Sequence, residues 1–491
     1  MSLRDKTLAG IGWAGIARAL KEILHFGISI ALARMLTPNA YGLLGMIIVF
    51  TGFAQLFTNP GFGDAIVQRE DLKEGHRSST FWLNAGVGVG LTLLFVGVAP
   101  LVAKFYGDPR LTVLTMVVAI SFTLNPLNVV HEALLRRTMN FKLLMYVDTI
   151  SVVVSGAVAV TLAVMGWGVW ALVFLRLTGT FMRVLVMWWV TDWHPKFMFE
   201  WESIKDLLAF SGNLFGFQLV NYWVRKADDL LVGKFVGSHG LGVYTKAYEV
   251  MLQPVKHLRQ VVGQVVYPAF SKIQDDRERL KRAYLYATRA LGLPSIPMMC
   301  FVFVLAEPIV VGIFGEHWRE VAPVLQILCF IGVKQPVSST TGWLFKACGK
   351  TDWQFKWNLV TSTLALISFA IGIQWGVIGM ATAYAIRGYV VWYPGMVIPG
   401  KLINMSFWEF VWNQAPVFAC SMVSATTIWV LRNYLMLDWA PWPQLGVLVP
   451  TALILYLALI HIFDIQAYRE ARDIAVEQWE KHVVGEDDSQ N

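Results

Sequence analysis

The stretch LAGIGWAGIARALKEILHFGISIALARM, Leu8 to Met35, is long and apolar enough to cross a bilayer, yet it carries Arg18, Lys21, Glu22 and His25. Further along, LLAFSGNLFGFQLVNYWVRKADDLLVGKF, Leu207 to Phe235, repeats the pattern with Asn213, Gln218, Asn221, Arg225, Asp228 and Asp229. A charged side chain at the bilayer centre costs about 3 kcal/mol even on a lenient insertion scale. Both segments are therefore expected to face a wet interior and not lipid. Two such helices, each opening a similar series of apolar runs, suggest a duplicated bundle around a polar cavity, the plan of a transporter.

Composition agrees. The 491 residues are 56% hydrophobic and only 15% charged, against roughly 25% charged in a typical soluble chain. Runs of about 20 apolar residues, the length that spans a bilayer, occur fourteen times between Leu8 and Phe463. The net charge of +7 raises the question of nucleic acid, but Lys and Arg concentrate in alternate short loops. That is the bias of cytoplasmic loops, and it places both termini in the cytoplasm. The first run is broken by charge and has no small-residue cleavage site, so it is expected to remain as a span. Cys300, Cys329, Cys348 and Cys420 lack pair spacing and read as packing residues, with no metal site expected.

The duplication extends beyond the opening helices. RMLTPNAYGLLGM (Arg34 to Met46) lies over KFVGSHGLGVYTK (Lys234 to Lys246) at an offset of 200. Leu111 to Arg136 overlays Val321 to Lys346 at 210, placing Pro126 over Pro336, and WGVWALVFLR (Trp167 to Arg176) overlays WGVIGMATAYAIR (Trp375 to Arg387). Six spans per copy is an even number, so both copies enter the membrane the same way round, the parallel-repeat arrangement of some transporters. The expected fold is an all-α integral membrane bundle. Residues 1–200 form one six-helix lobe, 201–400 a second, 401–465 two added helices and 466–491 a solvated cytoplasmic tail, with a central cavity between the lobes. The matched prolines are expected to break their helices.

GFGDAIVQRED (Gly61 to Asp71), FWLNAGVGVGLTLLFVGVAPLVAKFYGDPRL (Phe81 to Leu111), NPLNVVHEALLRRTMNFK (Asn125 to Lys142) and KADDLLVGKFVGSHGLGVYTKAYE (Lys226 to Glu249) resemble the polysaccharide-transporter branch of the MOP flippase superfamily. The similarity is to Wzx-type lipid-linked oligosaccharide flippases, nearest those serving exopolysaccharides such as colanic acid. The resemblance implies a monomeric protein of the bacterial inner membrane. It also implies an undecaprenyl-pyrophosphate-linked oligosaccharide moved from the cytoplasmic to the periplasmic leaflet by alternating access. Polymerase and chain-length proteins of the same pathway are the implied partners. No organic cofactor is implied, though a proton or sodium gradient drives some members.

On span one, Arg18, Glu22 and His25 share a helical face with Lys21 beside them. A cationic strip of this kind suits a pyrophosphate; the plainer alternative is an Arg18–Glu22 ion pair that only joins helices. On span seven, Asn213, Asn221, Arg225 and Asp229 recur at multiples of four, with Gln218 adjacent, and amides suit sugar hydroxyls. Asp228 and Asp229 are candidates for a coupling cation or proton, or else a solvated helix end. Lys246, Lys334 and Arg387 are further cavity candidates. Arg176 and Arg183 either line the first lobe or snorkel, and Asp64 reads as a helix-end residue.

Three other readings compete, and the passive scaffold is set aside because it would not need intramembrane charge on two matched helices. A multidrug or other small-molecule exporter is disfavoured by a basic cavity, because such substrates are commonly cationic. A membrane polymerase or ligase would need a long external loop with catalytic residues, and the external loops here are short. The chain has no P-loop, nucleophile elbow or His/Glu metal motif.

Overall fold

The structure, a computed structural model, describes residues 3–58 and 60–473; the side chains of residues 3–14, 16–19, 207–215, 217, 220, 254, 257 and 261 lie outside that description. The described residues are almost wholly helical, and no strand occurs among them. The helices in order are α1 (Leu3–Met35), α2 (Pro38–Gln55), α3 (Phe62–Gln68), α4 (Glu74–Tyr106), α5 (Arg110–Leu124), α6 (Pro126–Arg137) and α7 (Phe141–Val164). Next come α8 (Val169–Val190), α9 (Trp201–Phe235), α10 (Ser238–Lys272), α11 (Arg277–Val304), α12 (Ala306–Phe314) and α13 (Val321–Ser338). The last are α14 (Thr340–Ala347), α15 (Thr351–Gly372), α16 (Gly376–Val390), α17 (Trp392–Gly400), α18 (Phe407–Leu435) and α19 (Pro441–Ile462).

Ten described segments are long and apolar enough to cross a membrane, one of them the 53-residue run from Thr351 to Ile403 that holds α15 to α17. Fourteen runs are read in the sequence. α1, α9 and α10 are not among the ten, and each carries charged residues within its length, among them Lys21, Arg225 and Lys246. Caps explain several boundaries. α18 opens on a reciprocal pair: the Glu409 N–H donates to Ser406 Oγ (3.0 Å) and the Ser406 N–H to Glu409 Oε2 (2.7 Å). Gly107 closes α4 at φ +77°, a conformation that costs glycine little.

Contacts divide the chain into two compact units, Met1–Gly242 and Val243–Asn491. By sequence α9 opens the second copy, but by packing it belongs to the first unit, where it lies against α2, α3 and α4. Tyr222 on α9 donates to the carbonyls of Ile48 (2.9 Å) and Val49 (2.8 Å) on α2.

In the first unit, Leu32, Leu36, Ala40, Ala159, Ala163, Ala171 and Leu172 form one buried cluster that joins α1, α2, α7 and α8. The α7 seam is built from small residues, which lets helices approach closely; a Cβ placed on Gly156 would strike Ile28 of α1. The repeat leaves a reciprocal mark here. A Cβ on Gly42 would overlap the Ser238 carbonyl, and one on Gly242 would overlap that of Pro38. The offset of 200 pairs Gly42 with Gly242 and Pro38 with Ser238, so each copy's glycine receives the other copy's turn.

In the second unit α11, α18 and α19 share a core that includes Ile296, Cys300, Val304, Val417, Ile428, Leu448, Ala452 and Tyr456. Pro297 has no N–H to offer Leu293 four residues back, and the Tyr456 hydroxyl donates to that carbonyl instead, at 2.7 Å. The matched prolines also fall at helix interruptions. α5 gives way to α6 at Asn125–Pro126, and α13 to α14 just after Pro336. The cysteines are free, with Cys300, Cys329 and Cys420 buried.

Candidate functional site

Three helices of the first unit, with Leu44 of α2 and Asn125 beside them, converge on one cavity of about 380 Å³. Along α1, Lys21, His25 and Ile28 recur at helical spacing; along α7, Asp148, Ser151, Val152 and Ser155; along α8, Arg176, Gly179, Thr180 and Arg183. The core cluster described above holds these faces opposite one another, since α1 and α7 run in register from Lys21–Asp148 to Ile28–Gly156. A second cavity of about 400 Å³ shares Asn125 and Arg183 with the first and is lined also by Gln55, Asp64, Asn128, Glu132 and Arg136.

Charges link the two cavities. Lys21 Nζ lies 2.8 Å from Asp148 Oδ2. Arg183 reaches both Asp148 (3.3 Å) and Glu132 (3.1 Å), and Arg136 reaches Glu132 at 2.5 Å. The Lys21, Asp148, Arg183 and Glu132 side chains are 40, 24, 31 and 22% exposed, so the pairs are only partly desolvated. Arg176 lines the same cavity, and no carboxylate pairs with it among the described residues. An arrangement with more cations than anions, in a confined polar space, binds anions; guanidinium and ammonium donors favour phosphate oxygens.

The expected residues are distributed as follows. Lys21 and His25 line the cavity, whereas Glu22 on α1 is not among its walls. The face turned inward is thus the Lys21–His25 edge of α1, one position round from the expected Glu22–His25 edge. Arg18 and Asn213 lie outside the described side chains. Gln218 and Asn221 are half-buried on α9, and Arg225 is exposed. Asp229 pairs with Lys226 at 2.7 Å, and its backbone N–H donates to Asp228 Oδ1.

Three candidates belong to the second unit. Lys246 is 2% exposed, paired with Glu249 at 3.0 Å and set over the Phe314 and Trp318 rings, in no described cavity. Lys334 donates to the Gly388 carbonyl and sits over Tyr389; Arg387 donates to the Thr361 carbonyl beside Tyr384. Burial of these cations is offset by backbone carbonyls and ring faces.

Asp148 and Glu132 escaped the sequence reading. Both are acidic residues at or near apolar runs, and that alone marks an intramembrane ionisable group worth attention. Asp64, read as a helix-end residue, does stand in the first turn of α3 and lines the second cavity as well. Among the described residues no cluster of His, Cys, Asp or Glu has the arrangement of a metal site.

The described residues thus form a helical protein with ten segments apolar enough to cross a membrane and a charged cavity in the first unit. Among solved structures the chain is similar to the lipid II flippase MurJ in its inward closed conformation, with a TM-score of 0.73 and 16% identity, over 93% of this chain and 99% of that one. It is also similar to an inward-facing multidrug resistance MATE transporter of the MOP superfamily (TM-score 0.61, 16% identity, 79% and 96% covered). At such identity these matches establish the fold alone. The chain belongs to the polysaccharide biosynthesis protein family, whose model matches residues 31–323. Relatives include the teichuronic acid biosynthesis protein TuaB of Bacillus subtilis (strain 168), 28% identical over 409 residues that cover 82% of this chain and 84% of that protein. Others are the lipopolysaccharide biosynthesis protein WzxC of Escherichia coli (strain K12), at 27% with 78% and 79% covered, and the succinoglycan biosynthesis transport protein ExoT of Rhizobium meliloti (strain 1021), at 27% with 74% and 73% covered.

Proposed function

We propose that this protein is a flippase for undecaprenyl-pyrophosphate-linked oligosaccharide repeat units, carrying them from the cytoplasmic to the periplasmic leaflet for polymer synthesis. The observation that carries the reading is the cationic surplus of the α1–α7–α8 cavity in a chain of the polysaccharide biosynthesis family. The pyrophosphate must shed water to cross the bilayer, and Lys21, Arg176 and Arg183 replace that water with charged donors. Arg18, Glu22, His25 and Arg225, with the amides of Asn213, Gln218 and Asn221, extend the binding surface toward the sugar. Lys246, Lys334 and Arg387, bonded to Glu249 and to the Gly388 and Thr361 carbonyls, brace the second lobe.

In this reading the lobes, residues 1–200 and 201–400, alternate between inward- and outward-open forms, with 401–465 as added helices and 466–491 as a tail. Asp228 and Asp229 couple the cycle to a proton or sodium gradient. The protein works as a monomer in a bacterial inner membrane, both termini cytoplasmic, beside the polymerase and chain-length proteins of its pathway. The MATE-like fold favours one second reading, a small-molecule exporter, but the cationic cavity opposes the cationic substrates that reading expects.

Proteoliposomes supplied with a defined pyrophosphate-linked oligosaccharide, with and without pH and sodium gradients, test the proposal. Protected substrate should appear inside only in vesicles that contain the protein. Equal uptake by empty vesicles, or transport of cationic dyes in preference, would refute it.

A further inference from the structure

Of the charged side chains in the first cavity, Lys21, Arg176 and Arg183 are cations and Asp148 is the one anion, so two positive charges are left over among these four. A pyrophosphate substituted at both ends carries one negative charge on each phosphate and would neutralise the site. Asp148 lies 2.8 Å from Lys21 and 3.3 Å from Arg183, which are two of the three groups an entering pyrophosphate would contact. The carboxylate therefore occupies the donors that the phosphates need. We infer that Asp148 is a resident counter-anion: it holds Lys21 and Arg183 in place in the empty cavity, is displaced by the substrate's phosphates, and then drives their release. The inference rests on the flippase reading and deepens it.

The electrostatics give the sign. Removing the carboxylate takes away a like charge from beside the bound phosphates, at a separation where a unit charge alters affinity by about tenfold. Binding tightens while release slows. Arg183 has a second carboxylate to return to, Glu132 at 3.1 Å on α6, whereas Lys21 pairs with Asp148 alone among the described residues. In the adjoining cavity Arg136 balances Glu132, and Asp64 stands exposed at the start of α3. Exchange of partners can thus proceed without leaving Arg183 uncompensated, an arrangement that burial of a lone cation would penalise. Asp148 acts on the substrate through Lys21 and Arg183, as a positioning residue.

The test uses the full chain in detergent, with farnesyl pyrophosphate joined to one glucose as probe, together with polymer export in cells that rely on the variant. Asp148→Asn should bind the probe about tenfold tighter than wild type and export more slowly, a split that general damage to the fold would not produce. Asp148→Glu should restore both. The double variant Lys21→Gln/Asp148→Asn, which removes a phosphate donor together with the carboxylate, should lose that gain and bind more weakly than Asp148→Asn alone. Asp148→Asn binding equally or more weakly would overturn the inference. So would failure of both the single and the double variant to accumulate, which would assign Asp148 to folding. If wild type itself does not bind the probe, the flippase reading fails first.

Discussion

Arg176 is the residue on which the site's charge balance turns. Lys21 and Arg183 each face carboxylates, whereas Arg176 lines the cavity with none among the described residues. Arg176→Ala should therefore remove attraction for phosphate without stranding a partner, and export should fall by at least about tenfold with protein level retained. Export assays with immunoblotting decide it; unchanged export would take Arg176 out of the site. A different balance governs the α4–α5 turn. The Arg110 guanidinium beside Asp108, at 2.6 Å, holds its carboxyl below the usual carboxylate range. A depressed folded pKa means the contribution is complete above the unfolded pKa and is lost as pH falls through the folded one. Asp108→Asn should thus lower the melting temperature at pH 7 but hardly at all at about pH 2, as scanning fluorimetry across pH would show.

At the scale of the helix, the freed carbonyl of Leu293 illustrates how the bundle tolerates proline. Tyr456→Phe leaves that half-buried acceptor without its donor and should cost about 1 kcal/mol. In a Pro297→Ala background the new backbone N–H can serve Leu293, so the same change should cost much less. Thermal melts of the four proteins form the cycle, and equal costs in both backgrounds would separate Tyr456 from Pro297. Similarly, Gly156→Val should push α1 from α7 and reduce export along with stability, because the branched side chain has Ile28 in its way. What could be read in advance at this scale follows from periodicity. The apolar runs, the proline breaks at Pro126 and Pro336 and the charged character of α1 are local facts. Which edge of α1 turns inward is not local: it depends on Ile28 finding Gly156, and that meeting put Lys21 where Glu22 was equally eligible by spacing. Asp148 and Glu132 were missed for the same reason, since their value lies in the cations that other helices bring to them.

For the whole molecule, the division of the chain after Gly242 assigns α9 to the first unit although its sequence opens the second copy. The repeat predicts likeness between copies; packing alone decides which neighbours a helix keeps. The copies differ in their chemistry too. Arg176 and Arg387 match by sequence, yet the first lines a polar cavity and the second donates to the Thr361 carbonyl. Charge reversal should therefore be unequal. Arg176→Glu should abolish export, while Arg387→Glu should chiefly lower the melting temperature, and paired export and melting measurements distinguish the two. A larger export loss for Arg387→Glu at unchanged stability would contradict this asymmetry.

Gly42 and Gly242 touch bare backbone on both sides of one crossing. A self-complementary contact of that kind needs only a single design, because one surface serves as its own partner. A half-length chain bearing the Pro38–Gly42 type of turn would meet a second copy of itself through the same glycine, before any fusion joined the two. Neither glycine can take on a side chain without displacing the opposite copy's turn.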